Sequence, residues 1–137
     1  MAASDEVKTR ILILSDTHSA LPYPPETDVV PFRWPLPKAD ILLHAGDLTS
    51  NGKDMQHENA LSLLNGVDAE LKIVIPGNHD ITLDHDYYRE FPNLHCNSAP
   101  YPEQKLQEIA ALYTGEAARR AGVVYMVEGT RTFTLQN

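Results

Sequence analysis

The residues best suited to chemistry are Asp16, His18, Asp47, Asn78, His79 and Asp80, carried in the short runs DTH (16–18), GD (46–47) and GNHD (77–80). Carboxylates, imidazoles and an amide oxygen together suit Mn, Fe, Zn or Ni better than Ca, which prefers an all-oxygen shell. A single carboxylate can bridge two ions about 3.5 to 4 Å apart, a pair able to clamp both sides of a phosphoryl group. The spacing is even: 47 − 16 = 31 and 78 − 47 = 31 residues. Each interval is about the length of one strand, crossover and strand unit. Glycine precedes both Asp47 and Asn78, which removes a Cβ where the backbone must turn tightly or approach a bound ion.

Each run sits behind an apolar segment. Arg10 to Leu14 (RILIL), Asp40 to Leu43 (DILL) and Leu71 to Ile75 (LKIVI) read as strands buried on both faces. In open α/β sheets ligands collect at the carboxyl ends of the strands, which is where these runs fall. Between the second and third strands, Ala60, Leu63, Leu64 and Val67 share a helical face, with Gly66 suited to end it. Residues 21–37, LPYPPETDVVPFRWPLP, are too proline-rich for a helix or central strand and read as one long surface loop. Tyr101 to Gly122 reads as a helix with Pro102 in its first turn, Leu106, Ile109, Ala110 and Tyr113 on one face, and a break at Gly115. Val123 to Val127 and Arg131 to Leu135 read as a hairpin closed by the EGT turn. The sum is a mainly parallel α/β sheet with crossover helices in one domain, 1–137.

Composition narrows the class. With 137 residues, 42% of them hydrophobic, the chain can bury a core. A formal net charge of −8 argues against a broad nucleic-acid or membrane surface and in favour of a small substrate. Cys96 is the only cysteine, as expected of a reducing compartment, and no run approaches the roughly 18 apolar residues of a membrane span. A cytoplasmic location is expected.

Taken in order and each behind an apolar strand, DTH, GD and GNHD resemble the first three motif blocks of the calcineurin-like metallophosphoesterases. The fuller stretches LSDTH, ADILLHAGDLT and IPGNHD, with the PFRWPLP insertion, look like the metallophosphoesterase-domain proteins, in a fungal branch. The resemblance implies a four-layer α/β-β/α sandwich of which this chain carries the N-terminal half. It implies two divalent metal ions, with Asp16 and His18 on the first, Asp47 bridging both and Asn78 on the second. It implies phosphodiester or phosphomonoester hydrolysis by hydroxide generated at the metal pair, His79 acting on the leaving group; Asp80, placed with His79 in the catalytic set, either orients it or caps the following turn. Family members continue to a further metal-binding histidine and a G-H-x-H block, and nothing after Asp80 matches these. The expectation is therefore a truncated domain with weak metal retention, impaired activity, an apolar sheet face left open and a tendency to self-associate. The alternative is a degenerate member that binds metal or a partner without turnover.

Other residues have plainer readings. His44 orients a ligand or packs in the core. His57 reads as exposed on its helix, and His85 between Asp84 and Asp86 as part of a solvated polar turn. Cys96 reads as an inert thiol, and Arg119 and Arg120 as complements to a helix dipole.

Overall fold

The computed structural model describes residues 7–28, 32–93 and 99–136. Four short strands, β1 (Ile11–Leu14), β2 (Ile41–His44), β3 (Leu71–Val74) and β4 (Val123–Tyr125), form a sheet in the order β1-β2-β3-β4. All three pairings are parallel, with Leu14, His44, Val74 and Tyr125 in one row at the carboxyl ends. That register brings the DTH, GD and GNHD turns to one edge of the sheet.

Four helices connect and cover the strands: α1 (Asp54–Gly66), α2 (His85–Glu90), α3 (Glu103–Thr114) and α4 (Glu116–Arg120). Helix α1 starts cleanly because the Gln56 side chain reaches back to accept the N–H groups of Ser50, Asn51 and Lys53. It buries His57, Ala60, Leu63 and Leu64. As expected, Gly115 separates α3 from α4, while Pro102 stands at the N-cap of α3.

The side chains of Leu12, Leu14, Leu42, Val74, Val123 and Tyr125 share one sheet face and join the core with Ala60, Leu63, Leu64, Tyr113 and Ala118. The opposite face carries Ile11, Ile41, Leu43 and Ile73. There Ile11 is 52% and Ile13 65% exposed. The face is open at the edge strand β1, whereas Leu71 is buried and Ile41, Leu43 and Ile73 are half-buried, so the open apolar face expected from the sequence is present only along β1.

Several expectations need correction. No hairpin forms at 123–135: β4 pairs in parallel with β3, and residues 131–136 are not a strand. Instead Met126 N–H continues onto Val74 O, and Gln136 N–H reaches the side chain of Glu70. The described residues of the 21–37 segment do run without helix or strand, apart from a bridge between Tyr23 and Arg33. Yet it is anchored in the core by Leu36 and Trp34, and the Trp34 ring lies where a Cβ on Gly66 would fall. Asp84 and His85 are helical punctuation: Asp84 Oδ1 accepts Tyr87 N–H at 3.0 Å and caps α2. His57 is fully buried (0% exposed). Cys96 and His95 lie outside the described residues.

Candidate functional site

The first two turns are stitched together by backbone bonds, and the third is joined to the second through the side chains of Asp47 and Asp80. Asp16 N–H donates to Gly46 O at 3.0 Å, His18 N–H to Asp47 O at 2.9 Å and Ser19 N–H to Leu48 O at 2.6 Å. Such contacts force unusual backbone: Asp16, His18, Ser19 and Asp47 have φ of 53°, 46°, 68° and 52°. Left-handed non-glycine residues cost free energy and cluster at functional sites, where the surrounding bonds hold them. Gly46 (φ +100°) adds a steric requirement, since a Cβ there would lie 2.9 Å from Gly77 Cα.

Among the described residues, one set of metal-ligating side chains converges: His18, Asp47 and His79 each offer an atom within 4.8 Å of the others. The rings of His18 and His79 meet edge to face with centroids 4.8 Å apart. Asp47 is buried and its Oδ1 accepts the backbone N–H of His79 at 3.0 Å. The loop after Asp47 orients both imidazoles. His18 Nδ1 lies 3.0 Å from Thr49 O, and His79 Nδ1 lies 2.7 Å from Ser50 O. A carbonyl only accepts, so each ring carries a proton on Nδ1, and the nitrogen left for a metal is Nε2. Outer contacts of this kind set ligand orientation and basicity in metal sites.

The predicted residues are not all in that set. Asp16 is on the adjoining turn, exposed, with its carboxylate accepting from the Ser15 hydroxyl. Asn78 is exposed at the tip of the third turn, next to His79. Asp80 is 1% exposed, and its carboxylate accepts four bonds, from Leu48 N, Gly77 N, Thr49 N and Thr49 Oγ1 at 3.1, 2.9, 2.8 and 2.8 Å. Sequence reasoning missed Thr49 and Ser50, because backbone carbonyls that orient rings leave no trace in residue type.

Two buried histidines lie behind the site. His44 Nε2 meets Thr17 Oγ1 at 3.0 Å, so the ring is buried and bonded to the residue between Asp16 and His18 rather than to a candidate ligand. Burial lowers its pKa to about 4, against the opposing charges of Asp80 and Asp16. His57 bridges Tyr113 Oη through Nδ1 and Thr82 Oγ1 through Nε2, both at 2.8 Å. Thr82 spends its hydroxyl proton on Gly52 O, so Nε2 of His57 must donate and Nδ1 must accept from Tyr113. The ring is neutral, its pKa likewise pushed down to about 4 by burial.

The donors fit a borderline transition metal: imidazole nitrogens and a carboxylate oxygen converge within 4.8 Å, with both ring tautomers already set for ligation. Fold and site together define an α/β domain with a candidate metal centre at the carboxyl ends of its parallel strands. A model of the calcineurin-like phosphoesterase family matches residues 9–136, and the chain belongs to that family. It is 37% identical over 79 residues to metallophosphoesterase domain-containing protein 1 of Homo sapiens, and equally to that of Mus musculus. Each alignment covers 58% of this chain and 21% of the relative. It is also 37% identical over 84 residues to a protein of Emericella nidulans named probable rhamnogalacturonate lyase C, covering 61% of this chain and 7% of that protein. The matched stretch is thus about a fifth or less of these relatives' length. Family membership supports a phosphoesterase-type function, and among the described residues no helix is long and apolar enough to cross a membrane.

Proposed function

We propose that this chain is a metal-dependent phosphohydrolase acting on small phosphodiesters or phosphomonoesters, and that its metal affinity and turnover are low. The observation that carries the reading is the convergence of His18, Asp47 and His79 within 4.8 Å. Asp16, His18 and Asp47 would hold one divalent ion, Asp47 and Asn78 a second. Bound there, divalent cations would supply Lewis-acid chemistry, polarising a phosphoryl oxygen and lowering the pKa of water.

The protein's own groups do the remaining work. Asp47 is kept from rotating by the His79 N–H on Oδ1. The Thr49 carbonyl holds His18 in the ligating tautomer. His79 is fixed through Nδ1 to Ser50 O, and when the ring is doubly protonated its Nε2–H would be the proton given to the departing oxygen, leaving the Nδ1-protonated neutral ring. With two protein ligands on the second ion, binding there is weak. A net charge of −8 favours a small substrate over nucleic acid, and the single cysteine agrees with a cytoplasmic setting.

The exposed face around Ile11 and Ile13 favours a second behaviour, self-association or partner binding by a non-catalytic relative. Elemental analysis followed by a Mn-supplemented assay on bis-p-nitrophenyl phosphate separates the readings. Bound metal with hydrolysis supports the phosphohydrolase; bound metal without hydrolysis leaves the binding module; no bound metal and no hydrolysis at saturating Mn overturn the metalloenzyme reading.

A further inference from the structure

We infer that Asp80 is the positioning residue of the metal centre, a buried anionic clamp that sets the distance between the second and third motif turns. The inference rests on the metal site proposed above. A carboxylate at a catalytic centre needs contact with substrate or ion; Asp80 is 1% exposed and already accepts four bonds. Two oxygens have about four acceptor sites, so its capacity is filled.

The partners reveal the role. Oδ2 is shared between Leu48 N on the second turn and Gly77 N on the third, and Oδ1 takes both donors of Thr49. One carboxylate therefore ties the residue after Asp47 to the residue before Asn78. The His79 N–H on Asp47 Oδ1 lies on the same seam, so separating the two turns would remove a bond from the Asp47 carboxylate itself. Thr49 extends the clamp to both histidines: its carbonyl holds the His18 ring and its hydroxyl also lies 3.1 Å from the backbone carbonyl of His79. Gly52 N–H in turn donates to Thr49 Oγ1, fixing the hydroxyl from behind. Charge matters as well as shape. An amide in place of the carboxylate must turn its NH₂ toward either Leu48 and Gly77 or Thr49, and each side presents backbone donors.

The test uses the full chain with Mn²⁺ as probe, read by Mn²⁺ electron paramagnetic resonance and by amide hydrogen exchange without metal. Asp80→Asn is expected to weaken Mn²⁺ binding about 10- to 100-fold, the range seen when groups that orient ligands are removed. In the metal-free protein it should accelerate exchange at Leu48, Thr49, Gly77 and His79 while leaving α3 unchanged. Thr49→Val should weaken binding less and Thr49→Ser should restore it; this pair decides the matter if Asp80→Asn fails to fold. Val67→Ala, a core truncation away from the clamp, controls for stability and should bind as wild type. Wild-type affinity in Asp80→Asn or in Thr49→Val overturns the inference, and so does equal weakening in Val67→Ala. Absence of Mn²⁺ binding by the wild-type chain at about 1 mM overturns the metal site beneath it, a distinct result.

Discussion

His79 donates its backbone N–H to Asp47 Oδ1 at 3.0 Å, and Gly77 lies so near that a Cβ there would overlap the same oxygen. The third turn therefore grips the second through a carboxylate that only a glycine lets it reach. Gly77→Ala should push Asp47 off its bond and lower Mn²⁺ affinity by about tenfold or more, as loss of an orienting contact does. Titration calorimetry with Mn²⁺, alongside circular dichroism to show the sheet intact, checks this; unchanged affinity contradicts it.

His79 and His18 should separate in kinetics. His79→Ala is expected to slow Mn-supplemented hydrolysis of bis-p-nitrophenyl phosphate by about 10² to 10⁴, the usual weight of general acid help, with bound metal retained. His18→Ala should instead lose metal. If His79→Ala loses metal to the same degree, its place in the three-residue cluster is that of a ligand rather than a proton donor.

The buried chain from α3 to the third turn should be sensitive to a single hydroxyl. Tyr113→Phe keeps the ring, which packs edge to face on His57, but leaves His57 Nδ1 buried without its donor. The cost should be about 1 to 3 kcal/mol, the penalty for a buried unsatisfied polar atom. Urea unfolding with unchanged slope and a lower midpoint is the expected observation.

Stability should also fall in mild acid. Both His44 and His57 have folded pKa values lowered from 6.5 to about 4, so the unfolded chain binds more protons between those limits. Their contribution is fully present above pH 6.5 and is lost as pH falls toward about 4. Two such groups give a slope of up to about 2.7 kcal/mol per pH unit. Unfolding free energies measured at neutral pH and near pH 5 test this, and a flat profile contradicts it.

The open sheet face should govern association. Ile13, 65% exposed, contributes little to the fold, so Ile13→Glu should change unfolding free energy by no more than about 0.5 kcal/mol. It should reduce any concentration-dependent oligomer seen by sedimentation equilibrium. Unaltered association would place the contact elsewhere.

Much of the fold was legible because the strands announce themselves locally. RILIL, DILL and LKIVI are short apolar runs ended by polar turns, and all three became neighbouring parallel strands. The RTFTL run was misleading for the same local reason: its alternation suits a strand, but the chain does not fold back onto the free edge of β4, and Gln136 N–H donates to the Glu70 side chain instead. His57 was misread because a polar residue on a helix is ordinarily solvated; only Thr82 and Tyr113, 25 and 56 residues away, make its burial affordable.

The sequence by itself determined which turns carry chemistry and that they meet, since strand period and equal spacing are properties of the chain's own repeat of strand and crossover. What each side chain does at that meeting point was decided only by tertiary structure. Asp80 and His79 are adjacent in sequence, yet one is sealed behind Leu48, Thr49 and Gly77 and the other faces His18. Hydrogen-bond donors that arrive from 30 residues away choose between a buried anchor and a reactive group, and residue type alone does not encode their arrival.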